Sequence, residues 1–537
     1  MNDGSPSKGR AAQRYDELQN KRQPFIDRAR DSSRQTITSL FPEDDKHHAT
    51  QHRRLPTPWQ SVGARGVNNL SSKLLLALFP PNAPFFKLAA TDETIRDMAA
   101  EAEADPTQVK TEMDKALSQV EQSTVDRLEE TRFRTKSFEA IRLLVVSGNA
   151  LLHVGKDGDM KVYRLDRYVV KRDPMDNVME IVVKESVAVN ALPKSIRDFV
   201  LGQLKADNPG KEPKESDLVD IYTHVERTRD GQADRGKWKV YQEVKGKAVP
   251  GSKGTHPLDQ PAWIPLRFVQ VDGEDYGRGY VEEYLGDLRT LNSLWKAITT
   301  GALGSAKQIW AVRPGSHMRP KDLQKESGSV VIGDPEDVGV IRADKGGDQQ
   351  VAQAAATEIE QRLSMAFLLA NPRDAERVTA EEIRMLARML EDALGGIYSV
   401  LSQEFQRPFL KRFMKVLQDK NKLPDLPSEL VNIKITTGIE ALGRDHELQK
   451  LDMFVTGIAQ TLGPEIVAEY IRPNVYLTKR ASALGVQDNL VRSEEEVQQL
   501  REQRHEQQMQ QKLAPEAMKQ GGALAKSAAE AQFQGQQ

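Results

Sequence analysis

Three histidines in a short basic segment are the first residues whose chemistry could serve a function. His47, His48 and His52 each carry an imidazole that can bind a transition metal. Their spacing is irregular, however, and basic side chains flank them on both sides. The nearest carboxylates belong to Asp44 and Asp45. A solvated loop explains this segment better than a metal site does, so we predict no bound metal.

A second candidate is a set of glycines that precede a predicted helix. Gly273, Gly277 and Gly279 loosely resemble a phosphate-binding turn. No Gly-Lys-Ser or Gly-Lys-Thr follows them, although a nucleotide-binding loop would need one. A tight turn from a strand to a helix accounts for these glycines without any ligand.

Other catalytic patterns are absent from the sequence. The chain has no cysteine, which excludes disulfides, thiolate metal ligands and cysteine nucleophiles. It has no G-x-S-x-G or H-E-x-x-H motif, and its acidic pairs fall on predicted helices, where a solvated face is the ordinary explanation. We therefore predict no catalytic residues, no cofactor and no enzymatic activity.

A compact charged turn, residues 370–377, lies between two predicted helices. It contains Asn371, Arg373, Asp374, Glu376 and Arg377. On spacing alone this is an ordinary connection between helices. The two acids offset the two arginines and keep the net charge of the turn near zero.

The helix predicted after this turn is unusually long. From Val378 to Leu417 the apolar residues recur with a period near 3.6, and Thr379 to Glu382 resembles a capping box. Gly395-Gly396 and Pro408 should bend this helix without ending it. At about 1.5 Å per residue it would be about 60 Å long. We expect such a rod to bury its apolar stripe against neighbouring subunits or to cross a large assembly.

Composition sets wider limits. The chain has 537 residues, 38% hydrophobic content and a net charge of −2, which fits two to four domains and argues against a tight nucleic-acid binder. The start of the sequence lacks an apolar signal core, and the longest strongly apolar run, Leu74 to Phe79, is far too short to span a membrane. These features predict an intracellular or virion protein.

The elements that must position the charged turn form an α+β pattern that is mainly helical. Helices are predicted over 13–40, 60–78 and 92–131, then over 280–303 and 352–369. Residues 138–153 are predicted as a buried helix or a helix–strand edge. Between them, alternating β-branched and polar residues separated by turns predict a mostly antiparallel sheet over residues 161–271. The segment 304–352 is rich in Gly and Pro. Its predicted short β-runs are Ile309–Val312, Val330–Ile332 and Gly339–Ile341, and a later strand is predicted at Val431–Thr436.

Several segments, in order from about residue 15 to 450, carry a family resemblance. They include Thr57-Pro-Trp-Gln-Ser-Val-Gly-Ala-Arg-Gly-Val-Asn-Asn-Leu, Asp272-Gly-Glu-Asp-Tyr-Gly-Arg-Gly, Glu376-Arg-Val-Thr-Ala-Glu-Glu-Ile-Arg and Thr437-Gly-Ile-Glu-Ala-Leu-Gly-Arg. With them, the chain resembles the head-to-tail connector, or portal, proteins of autographivirus-type short-tailed bacteriophages.

The resemblance implies a portal fold, assembled as a dodecameric ring around a central channel. It also implies a division of the chain into named parts. These are a flexible N-terminal arm (1–12), the wing (13–276), a first stem helix (277–303), the clip (304–352), a second stem helix (353–369), the tunnel loop (370–377), a long wing helix and strand (378–439), the crown (440–490), and a Gln/Ala-rich C-terminal helix with a mobile tail (491–537).

The resemblance further implies a role in the virion, at one vertex of the capsid, after assembly in the host bacterial cytoplasm. Double-stranded DNA would pass through the channel during packaging and ejection. The expected partners are the terminase packaging motor, the tail adaptor and nozzle proteins, the major capsid and scaffolding proteins, and internal core proteins, with no membrane. The expected functional residues are those of the tunnel loop together with the basic residues of the clip, Lys307, Arg313, Arg319 and Lys321.

Charge balance fits a conduit for a polyanion. Residues 304–352 carry seven basic and seven acidic side chains, and residues 353–420 carry ten of each. Such a wall would touch phosphates without trapping them through counterion release. Two other classes of protein would show different features. A packaging ATPase or nuclease would need a phosphate loop or a carboxylate metal cluster, and an internal scaffold without a channel would lack the antiparallel region.

Overall fold

The computed structural model comprises two units, Met1–Lys110 with Gln119–Ile439, and Thr111–Ser118 with Glu440–Gln537. Within them it describes residues 9–42, 55–81, 84–101, 103, 105–207, 214–228, 236–306, 309–316, 319, 321, 323, 329–330, 332–341, 346–369, 389–390, 394–424, 431–435, 452–463, 471, 476–477, 480 and 497. All structural statements below concern these residues.

Along the sequence, most helices of the first unit precede residue 148 or follow residue 279, and most strands lie between these two positions. They are α1 (Arg10–Gln35), α2 (Val62–Leu78), α3 (Asp92–Glu101), α4 (Pro106–Glu129), α5 (Phe133–Ser147), α6 (Lys194–Asp207), α7 (Tyr280–Glu283), α8 (Leu285–Ala306), α9 (Gly346–Ala366), α10 (Ile397–Leu401) and α11 (Arg407–Asp419).

The strands pair antiparallel, as the sequence predicts. They are β1 (Phe86–Ala90), β2 (Asn149–Val154), β3 (Met160–Tyr163), β4 (Tyr168–Arg172), β5 (Val178–Ala188), β6 (Leu218–Thr228), β7 (Lys237–Val244), β8 (Lys247–Ala248), β9 (Gly254–Pro257), β10 (Trp263–Arg267), β11 (Ile309–Val312), β12 (Val338–Ile341) and β13 (Val431–Ile435). The largest sheet has the order β4-β5-β6-β7-β8, with β9 also on β7, and β10-β2-β3 form a second sheet.

Helix α1 packs across the large sheet. Ala11, Tyr15 and Leu18 are buried against Val169 and Val182, which places one apolar face of the helix in the core. The first free backbone amides of the helix, those of Ala11 and Ala12, donate to a carboxylate from β7. That carboxylate belongs to Glu243, and its two oxygens lie 3.0 and 3.2 Å from these nitrogens. A negative side chain at this position satisfies the helix N-terminus and its dipole.

The apolar stripe of the predicted long helix is buried inside the chain's own fold. Phe405, Phe409 and Phe413 are each at most 1% exposed. Phe409 stacks on Phe133 of α5 at 4.8 Å between ring centroids, and Phe405 meets Phe79, the residue after α2, at 5.2 Å. The expectation that this stripe packs against neighbouring subunits is therefore wrong for this half of the helix.

The long helix is also not a single rod. Gly395 has φ +54°, a left-handed conformation that ends a helix, and residues 395–396 form a turn before α10 begins. Pro408, in contrast, lies within helical structure, because the preceding segment Ser402–Gln406 widens into a π-helical turn. The wider turn relieves the clash that a proline ring has with the preceding turn. The start of the predicted helix, including Thr379, lies outside the described residues.

The π-turn carries Glu404, whose carboxylate joins it to the small sheet. Its oxygens accept hydrogen bonds from the backbone amide of Arg267 at 3.1 Å and from the Arg267 guanidinium at 2.9 Å. The Arg267 side chain is only 3% exposed. Burial lowers the pKa of Arg267, but the hydrogen bonds and charge of Glu404 outweigh this effect and raise it. Glu404 therefore compensates a buried cation and joins the π-turn to β10.

We expect Glu404→Ala to destabilise the protein by about 3 kcal/mol, because the Arg267 charge would stay buried without its main partner. Calorimetric unfolding of the variant measures this loss. Asp419→Ala is the matched control, since Asp419 forms an exposed pair with Lys415 and should change stability by at most about 0.5 kcal/mol. Equal losses in both variants would contradict the role given to Glu404.

Some elements differ from the sequence prediction. Helix α6 and strand β1 were not predicted, and β1 pairs with β13 although more than 300 residues separate them, as Phe86 faces Ile435. The predicted β-run at Val330–Ile332 is wrong at its two described residues, Val330 and Ile332, which lie outside any strand. Helix α9 begins at Gly346, six residues before its predicted start at Ala352.

In the second unit, the described part of residues 440–537 includes a helix over residues 452–462. Asp452 accepts hydrogen bonds from the Tyr476 hydroxyl and from the Arg480 guanidinium, the latter at 3.1 Å. Among the described helices, none has both the length and the apolar character needed to cross a bilayer. Within the same described residues, no cluster of three His, Asp or Glu side chains is placed to hold a metal ion, and His47, His48 and His52 lie outside them.

Candidate functional site: a helix pair that carries a β-hairpin

Helices α8 and α9 form an antiparallel pair. Asp287, near the start of α8, lies 3.6 Å from Arg362, near the end of α9. At the other end, Gly301 approaches Gln349 so closely that a Cβ at 301 would lie 2.8 Å from the side-chain Nε2 of Gln349. The region predicted as one helix over 280–303 is divided at Tyr284 into α7 and α8.

A two-stranded hairpin continues from the ends of this pair. Strand β11 starts three residues after α8, β12 ends five residues before α9, and Ile309 faces Ile341 while Val312 faces Val338. Two of the three predicted β-runs of this segment therefore pair with each other. We call the helix pair the stalk, and the described residues between Val312 and Val338 its tip.

The described residues of the tip are exposed and partly apolar. Arg313 and Asp337 close its base through a backbone hydrogen bond of 3.0 Å and a side-chain pair at 3.3 Å. Val330 and Ile332 are 92% and 91% exposed. Of the predicted basic residues, Arg313, Arg319 and Lys321 are exposed, and Lys307 lies outside the described residues.

At the other end of the stalk, α9 ends in a Schellman turn. The amides of Leu368 and Leu369 donate to the carbonyls of Met365 and Ser364, at 3.0 and 2.7 Å. Leu368 has φ +52°, a left-handed conformation that costs a leucine about 1–2 kcal/mol and that glycine would adopt freely.

Side chains from two other elements bind the last carbonyls of α9. The Tyr280 hydroxyl donates to the Ala366 carbonyl at 2.9 Å. The Asn69 amide donates to the carbonyls of Phe367 and Leu368 at 3.0 and 2.9 Å, and the Lys73 ammonium donates to Leu368 at 2.6 Å. Sequence reasoning missed this pair. The available signal was weak: two polar residues four positions apart on α2, a helix that also holds other polar residues.

Two described residues that flank positions 370–388 lie at one cleft. Leu369 and Met389 both line a cleft of about 560 Å³ beside α9. The predicted loop residues Asn371, Arg373, Asp374, Glu376 and Arg377 lie outside the described residues.

The glycines before α7 serve packing. A Cβ at Gly279 would lie 2.5 Å from the Val146 carbonyl oxygen, and one at Gly277 would lie 2.8 Å from the Gly148 carbonyl oxygen. The side chain of Asn149 binds the backbone of Gly277 on both sides, accepting from its amide at 2.8 Å and donating to its carbonyl at 2.7 Å. These contacts support the interpretation as a strand-to-helix turn rather than a phosphate site.

Comparison with known proteins gives a consistent match. Residues 8–491 match the family described as bacteriophage head to tail connecting protein. The portal protein of Escherichia phage T7 is 40% identical over 515 residues, 94% of this chain and 90% of the relative. The portal protein of Pseudomonas phage phiKMV is 31% identical over 477 residues, 87% of this chain and 89% of the relative.

Among solved structures, a chain in the virion of a native gene transfer agent particle is 13% identical. The match covers 74% of this chain and 86% of that chain, with a TM-score of 0.34.

Proposed function

The chain belongs to the family of bacteriophage head to tail connecting proteins, a structural virion protein of the portal kind, and we propose that it forms a dodecameric ring around the channel that double-stranded DNA crosses. The observation that carries this proposal is the stalk of α8 and α9, with an exposed tip at one end and the left-handed turn at Leu368 at the other. In a ring, such a stalk would line the channel, with the wing around it.

Exposed apolar side chains along the stalk support ring assembly. Leu303 of α8 and Val351 and Met365 of α9 are 61%, 72% and 75% exposed in the single chain. A closed ring has heterologous contacts, so each subunit needs two different faces that complement each other. Burial of these side chains between adjacent stalks would supply part of that interface.

The other parts of the chain would take the roles that the resemblance to portal proteins implies. The segment 304–352 would act as the clip, which docks first the terminase packaging motor and then the tail adaptor, with the nozzle beyond it. The wing would contact the major capsid and scaffolding proteins, and residues 440–490 would form a crown facing the internal core proteins. The loop 370–377 would project into the channel. Equal numbers of basic and acidic side chains in residues 304–352 and in residues 353–420 would let DNA slide through the channel.

We expect the purified protein to form rings with a central hole in negative-stain images, and to hydrolyse no ATP unaided. Val351→Asp with Met365→Asp should convert the rings to smaller species by light scattering, because the interface would bury unpaired charges. Met175→Asp is the control, since Met175 is 81% exposed on a turn between β4 and β5. A wild-type protein that stays monomeric at micromolar concentration would contradict the proposal, and assemblies without a hole would favour an internal scaffold.

A further inference from the structure

The end of α9 is held in a strained turn by residues from a distant part of the chain. Asn69 and Lys73 lie on one face of α2, together with Gly66. A Cβ at Gly66 would lie 2.5 Å from the ring of Phe367. The backbone of α2 therefore packs directly against the Phe367 side chain at the end of α9. Residues three, four and seven positions apart share a helix face, so this close approach brings both polar side chains to the α9 carbonyls.

The hydrogen bonds form where the helix leaves its own carbonyls unsatisfied. The last carbonyls of a helix have no intrahelical donor and carry the negative end of the helix dipole. The Lys73 ammonium is a favourable partner for them. The Lys73 ammonium is partly buried, and this burial lowers its pKa. Because less water competes for the ammonium, its hydrogen bond to Leu368 stabilises the turn more than a fully solvated contact would.

Leucine at position 368 makes this support necessary. Most helices that end in this way have glycine at the left-handed position, because glycine has no Cβ to clash. Here the Leu368 side chain lines the cleft beside α9. Strained backbone of this kind persists when the surrounding structure holds it, and it concentrates at functional segments.

We infer that Asn69 and Lys73 are positioning residues that hold the left-handed turn at Leu368 and thereby fix the direction in which the chain enters residues 370–377. The hold on the turn is a property of the fold. Its consequence for DNA rests on the proposed function, in which those residues form the channel loop.

Hydrogen exchange of the assembled protein tests the hold directly. In Asn69→Ala with Lys73→Met, the amides of Leu368 and Leu369 should exchange at least about tenfold faster, because the turn loses hydrogen bonds that include a charged donor. Amides in the middle of α2 should keep their rates. Asn68→Ala is the matched control, since Asn68 is exposed on the same helix. Lys73→Met alone keeps the aliphatic stem and serves if the double variant fails to fold.

Adding Leu368→Gly should restore slow exchange, because glycine adopts the left-handed turn without support. Unchanged exchange at 368–369 in the double variant, or failure of Leu368→Gly to restore it, would overturn the inference. Genome retention by particles carrying the same variants is read separately. If exchange responds and is rescued while replacement of Arg373 and Arg377 leaves retention unchanged, the positioning role stands and the proposed channel loop fails.

Discussion

Replacing residues 313–337 by Asn-Gly is expected to abolish binding of the tail adaptor while the ring still assembles. Val312 and Val338 are the innermost facing pair of the hairpin, and two residues of this type close such a hairpin in a tight turn. The variant therefore removes the tip and keeps both the stalk and its two strands. Co-sedimentation of purified rings with the adaptor measures binding, and negative-stain images verify the rings.

Two substitutions locate the effect within the tip. Val330→Ser with Ile332→Ser should weaken adaptor binding at least about tenfold, because each large aliphatic side chain buried at an interface is worth about 1.5–3 kcal/mol. Met175→Ser is the control and should leave adaptor binding unchanged, since Met175 is 81% exposed on a turn between β4 and β5, outside the tip. Full adaptor binding by the Asn-Gly variant would show that the docking surface lies elsewhere.

The sequence predicts best where local pattern decides the structure. Strands β4 to β7 follow from their alternation and turns, and α2 and α8 from their period. The apolar stripe of Phe405, Phe409 and Phe413 was also evident, but a stripe shows only that a face is buried and not what buries it. Its partners, Phe79 after α2 and Phe133 in α5, lie more than 270 residues earlier in the chain, and only the tertiary fold brings them there.

The site shows the same limit. The helices α8 and α9 and the strands β11 and β12 between them were predicted because their patterns are local. The bonds from Asn69 and Lys73 to the end of α9 connect residues almost 300 positions apart, so no window of sequence contains both partners. Leu368 adds a further reason, because a left-handed leucine contradicts the residue preference on which turn prediction depends.

Removing positive charge from the loop 370–377 is expected to impair how the particle handles its genome. Arg373→Ala with Arg377→Ala should leave ring assembly intact and strongly impair packaging or retention of the genome. A weak, solvated contact of an arginine with a phosphate is worth only about 0.5 kcal/mol. A closed ring repeats each contact in every subunit, however, so the loop arginines together would hold DNA by several kcal/mol without any tight single site.

Genome content of particles made with the variant, measured by nuclease-protected DNA, tests this expectation. The matched control removes two arginines per subunit elsewhere, Arg10→Ala with Arg127→Ala, whose exposed partners are Glu226 and Glu130, and should package normally. Asp374→Asn with Glu376→Gln should act in the opposite direction and slow ejection, because the loop would gain net positive charge, and added salt should weaken that effect by screening. If the arginine variant assembles, packages and retains DNA as the wild type does, the loop is only a connection between helices.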